Sequence, residues 1–171
     1  MTISALALTG CATMNVSSHV ERGVDFTTFH TYNWGPADAL PTGDPRLDNN
    51  PFFQDYLQGA VEKQMAAKGF ERSTSGTPDL LVHYHANVSQ RIEVNGVDRQ
   101  HGYTYDDAEP VVIEYEQGTI VLDIVDTHTN KVIWRGWAQD SLEGIIDSQD
   151  AMQRQINKAV TRMMARFPRT L

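Results

Sequence analysis

The chain has 171 residues, 14 of them basic and 22 acidic for a formal charge of −8, with 40% hydrophobic residues and one cysteine. That length suits a single domain with a self-sufficient core, and the acid excess disfavours a nucleic-acid partner, because phosphate backbones are held by Lys and Arg. One cysteine excludes an internal disulfide and a paired-cysteine metal site, and no apolar run reaches the roughly 20 residues that span a bilayer.

The first element is MTISALALTGC, in which Ile3, Ala5, Leu6, Ala7 and Leu8 form a short apolar stretch and Thr9 and Gly10 flank Cys11. The tetrapeptide Leu8-Thr9-Gly10-Cys11 resembles a bacterial lipobox. The resemblance implies that residues 1–10 are the remnant of a signal peptide and that Cys11 becomes the first mature residue and carries acyl chains. No basic residue precedes the apolar run, so the true start is expected upstream. Each buried methylene contributes about 0.8 kcal/mol, and two or more chains anchor a protein stably. Residues 11–23 read as a lipidated tether, since Ala12–Arg22 is polar and weakly patterned, and residues 24–171 read as the domain. Ala12, in place of an aspartate, points to the outer membrane by resemblance to enterobacterial sorting.

Phe26–Trp34 is rich in threonine and aromatics and predicts a strand, and Gly35–Asn50, with three prolines, predicts a loop. Asn50-Pro51 reads as N-cap and first helical position. Phe53, Tyr56, Leu57, Ala60, Val61 and Met65 then form one apolar stripe, closed by Lys68-Gly69. Pro78–Val88 alternates with period two, which predicts a half-buried strand. Ser89–Gln117 is polar and uneven, with an Asn95-Gly96 hairpin signal; residues 91–116 hold seven acids against two bases, a net −5. It reads as a solvated excursion with an extra hairpin. Gly118–Asp126 and Lys131–Leu142 predict strands joined by a turn in which Asn130 takes positive φ. A last helix over Ser148–Phe167 presents Met152, Ile156, Val160, Met163 and Phe167 and stops at Pro168. The expected fold is α+β: a two-layer sandwich with an about four-stranded, mainly antiparallel sheet and two helices on one face.

DFTTFHTYNW, AAKGF, PDLLVHYHANV, YEQGTIVLDIVDTHTNKVIWRGWAQDSL and ARFP together resemble the bacterial lipoprotein family of the domain of unknown function DUF4136 over Val24–Pro168. Trp134-Arg135-Gly136 is the most specific part. The resemblance implies a periplasm-facing lipoprotein with a small α+β domain. It carries over one functional position, Cys11, and no catalytic residue.

No nucleophile elbow, phosphate loop, dinucleotide fingerprint or His-Glu-x-x-His motif is present. His83 and His85 stand two apart on one strand face, a spacing that can share a metal with Asp123 as third ligand; the plainer reading is two polar residues on an open sheet face. His101 with Asp106, Asp107 and Glu109 offers oxygen ligands for a hard cation, although the spacing fits no calcium loop and a solvated acidic loop is the simpler reading. The methionines read as core filler. Trp134 and Trp137 cannot both enter the core of a regular strand, so one is expected on the open face.

The expected function is therefore non-catalytic and needs no cofactor: an accessory domain on the periplasmic face of the outer membrane, binding an envelope protein, glycan or lipid. The candidate binding face is His83, His85, Trp134 and Trp137. The alternative is a metal-binding protein or metal-dependent hydrolase built on His83 and His85.

Overall fold

Period-two alternation carries two long strands through the centre of the molecule. The computed structural model describes residues 14–36, 44–95 and 111–168. In chain order its elements are β1 (Asn15–Val20), a 3-10 turn (Phe26–Thr28), β2 (Thr31–Trp34), α1 (Pro45–Asp48), α2 (Pro51–Ala67), β3 (Glu71–Arg72), β4 (Leu80–Asn95), β5 (Val111–Asp126), β6 (Lys131–Ser141) and α3 (Gln149–Met164). The fold is α+β, with a six-stranded mixed sheet in the order β1-β6-β5-β4-β2-β3. Strands β1, β6, β5 and β4 are antiparallel neighbours, whereas β4, β2 and β3 are joined in parallel.

The sheet is larger than the four strands expected, and the described residues form three helices in place of two. A parallel pair needs a crossover connection, and α2 supplies it between β2 and β4. The stretch read as a tether is the second difference. Asn15–Val20 pairs along β6, with Met14 buried in the core just before it. Its polar alternate residues look like a linker in isolation; Asn15, Ser17 and His19 are one face of an edge strand. Phe26–Thr28 turns before the strand begins, because Asp25 caps it by accepting from the Thr27 amide.

Local signals fix the helix ends. Asn50 accepts from the Phe52 amide at 2.9 Å, and Gly69 takes φ 91° after the C-cap Lys68. Ser148 caps α3 by accepting from the Ala151 amide at 3.3 Å. Helices α2 and α3 lie side by side over one face of the sheet. Leu57, Val61 and Met65 of α2, and Met152, Ile156, Val160 and Met163 of α3, meet Leu80, Val82, Leu122, Ile124 and Trp134 beneath them. Burying side chains of this size contributes about 1.5–3 kcal/mol each. The buried Lys68 crosses between the helix ends to donate to the Phe167 carbonyl at 2.7 Å.

The β4–β5 ladder runs unbroken from Leu80↔Asp126 to Asn95↔Val111. Strands of 16 residues reach about 50 Å, and a helix of 17 about 25 Å, so the helical layer covers only part of the hairpin. Ser89–Asn95 and Val111–Gln117 are thus continuations of the two central strands and not a separate excursion. The Asn95-Gly96 turn, and His101, Asp106, Asp107 and Glu109, lie outside the described residues or at their limit.

Candidate functional site: the open face of the sheet

Helices on one face leave the other uncovered, and the strand register decides what stands there. One row crosses four strands: His83 of β4, Asp123 of β5, Arg135 of β6 and His19 of β1. The next row holds His85, Val121, Trp137 and Ser17. Asp123 is only 4% exposed although it belongs to this face. Its carboxylate is covered by the Arg135 guanidinium, whose Nε donates to Oδ1 at 2.6 Å and whose terminal nitrogen donates to Oδ2 at 2.7 Å. These two parallel charge-assisted bonds, with the attraction of the carboxylate, raise the Arg135 pKa above its ordinary value.

His85 approaches the same carboxylate, with Nε2 3.9 Å from Oδ2. The ring of His83 lies against the backbone of Gly35 so closely that a Cβ built there would come within 2.1 Å of its Cε1. The face therefore carries a partly buried tryptophan, two imidazoles, and an arginine whose charge is partly neutralised from below.

Of the residues singled out from the sequence, His83, His85 and Trp137 share this face. Trp134 does not. It is fully buried on the helical side, with its ring 5.2 Å from that of Phe167. Asp123 joins the face as a partner of Arg135 and not as a metal ligand. Both its oxygens are engaged, and among the described residues no group of three His, Cys, Asp or Glu side chains is placed to hold a metal ion. Cys11 lies outside the described residues, among which no helix is long and apolar enough to cross a membrane.

Sequence patterning alone does not point to Arg135 or His19 on this face. Arg135 belongs to the distinctive Trp-Arg-Gly triplet, but counting back from the turn pairs Asp126 with Lys131 and so places Asp123 opposite Trp134. A β-bulge between Ile124 and Val125 shifts the register by one and brings Arg135 opposite Asp123. The successive buried residues Ile133 and Trp134 are its trace in the sequence.

A second feature lies inside the sandwich. Leu47, Phe53, Ile120, Ala138, Met152 and Ile156 contribute to an apolar cavity of about 60 Å³ under α1. Arg46 holds that short helix in place, reaching Asp44 and, at 2.7 Å, Glu116 of β5.

The arrangement defines a two-layer α+β domain with one sheet face sealed by helices and the other presented to its surroundings. The chain belongs to the family described as Domain of unknown function (DUF4136), which matches residues 16–169 and so begins within β1. Among curated proteins none matches it. A solved PDZ domain protein from Parabacteroides distasonis is similar over 91% of this chain at 17% identity, with TM-score 0.58; this chain spans 36% of that protein's length. A PelC dodecamer from Paraburkholderia phytofirmans is similar over 90% of this chain and 95% of its own, at 10% identity and TM-score 0.50. At such identities the likeness is one of fold.

Proposed function

We propose that this protein is a non-catalytic binding domain, held on the periplasmic face of the outer membrane by lipid on Cys11, which uses the open sheet face to dock another component of the envelope. The observation that carries the docking face is the placement of Trp137 in the row beside the Asp123–Arg135 pair, on a face that neither long helix covers. A soluble sheet normally turns polar residues to water there. An amphipathic indole beside an arginine and two imidazoles supplies apolar area with polar groups to orient a partner. The lipobox-like Leu8–Cys11 supports the anchor.

The test has two parts. Lipidated protein is used to capture partners from envelope extracts, and Trp137→Ala and the pair His83→Ala with His85→Ala are compared with the parent. Each should weaken capture of the same partner while leaving the melting temperature nearly unchanged. Normal capture by both variants, with loss on changing exposed residues of the helical face, would misplace the docking surface. Cys11→Ser, expressed with a competent signal, should give a soluble or uncleaved product. A mature product that still needs detergent would put the anchor elsewhere.

A further inference from the structure

Helix α3 and the turn that follows it carry a second pattern besides the apolar stripe. Arg154, Lys158, Arg162 and Arg166 recur every four residues, and all four are exposed. Between Gln149 and Arg166 the chain has these four bases and one acid, Asp150, a local net charge of +3 in a protein whose total is −8. At 1.5 Å per residue the row is about 18 Å long. Arg154, Lys158 and Arg162 are neighbours on the helix surface, where like charges repel and destabilise the helix, and Arg166 continues the row in the turn after it.

Little within the protein relieves that repulsion. Lys158 lies 3.9 Å from Asp140, and Arg154, Arg162 and Arg166 make no ion pair among the described residues. The helix dipole favours cations in the last turn, which accounts for Arg162 but not for Arg154 in the first half. Arg162 and Arg166 also border an open groove of about 580 Å³, together with Ala165 and with Met14, Asn15 and Val16 at the start of β1. Cys11 is three residues before Met14, a length of chain that reaches at most about 11 Å.

We infer that this basic row, with the groove at its end, is a docking surface for an anionic lipid bilayer. The charges fit such a surface, and Met14 at the groove is within that reach of an acyl anchor on Cys11. A lipid-held domain seated on α3 turns the opposite, open face of the sheet away from the bilayer, leaving Trp137 accessible. The inference deepens the anchored reading above and takes from it only the role of Cys11. The contact between the row and the headgroups stands or falls independently of acylation.

The experiment uses the full chain with Cys11→Ser, so that no acyl chain contributes, and vesicles of equal parts phosphatidylcholine and phosphatidylglycerol against phosphatidylcholine alone. At low ionic strength the protein should float with the anionic vesicles only and be released by salt. Each arginine near such a surface is worth about fivefold in partitioning, so Arg162→Gln with Arg166→Gln should lower it roughly 25-fold. A charge-matched control, Lys131→Gln with Arg91→Gln, should change it little. Binding that ignores phosphatidylglycerol, no binding at low salt, or an equal loss in the control would overturn the inference. If the arginine effect holds while native Cys11 proves unacylated in cells, the anchor falls and the docking surface remains.

Discussion

Gly136 lies directly beneath the indole of Trp134, two residues earlier in the same strand: a Cβ built on it would come within 2.3 Å of the ring's Cη2. The tryptophan folds over its own strand to meet Phe167 on the helical side, while Arg135 between them points the other way to Asp123. The triplet is thus one device serving both faces. The fit is tight and apolar, and among the described residues the buried Trp134 N–H has no hydrogen-bond partner.

Gly136→Ala should therefore destabilise the domain by about 1–3 kcal/mol, the usual cost of overpacking a filled core. Urea unfolding followed by tryptophan fluorescence measures it. A midpoint equal to the parent's would mean that the indole has room to move aside.

Trp134→Phe removes the unpartnered N–H together with some packing area. Removal of a buried donor without a partner offsets part of the cavity cost, so the change should destabilise far less than Trp134→Ala, for which about 3–5 kcal/mol is expected. Equal losses in the two variants would show that a phenyl ring recovers none of the packing the indole provides.

The two halves of the Asp123–Arg135 pair should respond unequally. Arg135 is half exposed, with 51% of its side chain accessible, whereas the Asp123 side chain is at 6%. Arg135→Met leaves a buried carboxylate without its principal partner; Asp123→Asn leaves a cation that water can solvate. The first should cost about 1.5–3 kcal/mol at neutral pH and the second less. Chemical denaturation of both variants checks the order, and the reverse order would contradict the burial argument.

Two other carboxylates contribute to the response to acid. Burial pushes the Asp79 carboxyl up, but the His30 and Thr31 amides and the Thr31 hydroxyl donate to it at 2.9, 2.9 and 3.0 Å and hold it below its ordinary value. Burial likewise opposes the Thr129 hydroxyl and the His128 amide at Asp126, and the donors again prevail. A folded pKa below the unfolded one means that the native state binds fewer protons. The stabilisation is full above the unfolded value of about 3.9 and is lost as pH falls through the folded value. Asp79→Asn should lower stability at neutral pH and flatten its decline below about pH 5. An unchanged acid slope would show that Asp79 does not contribute to it.

Ile156→Asp places a charge among Val160, Met152 and the sheet, where Ile156 is 3% exposed. Burial of an unpaired charge costs several kcal/mol or prevents folding. Circular dichroism on heating decides it, and a melt matching the parent's would remove α3 from the core.

What could be known from the sequence alone is what neighbouring residues settle between themselves. Asn50-Pro51, Lys68-Gly69 and Ser148 mark helix ends because capping groups satisfy backbone donors and acceptors a few residues away. The stripes of α2 and α3 and the alternation of β4 report their buried faces because side-chain direction repeats with the local backbone. What the tertiary structure decided depends on distant chain. Asn15–Val20 is a strand only because β6 offers an edge to pair with, and a short half-polar segment carries no sign of that partner. The parallel joining of β2 to β4 depends on where α2 returns the chain. The pairing of Asp123 with Arg135, and the assignment of Trp134 to the core and Trp137 to the open face, turn on a single bulge residue. Strand side chains repeat every two residues, so a shift of one exchanges the two faces, and only packing against the helices determines which exchange is made.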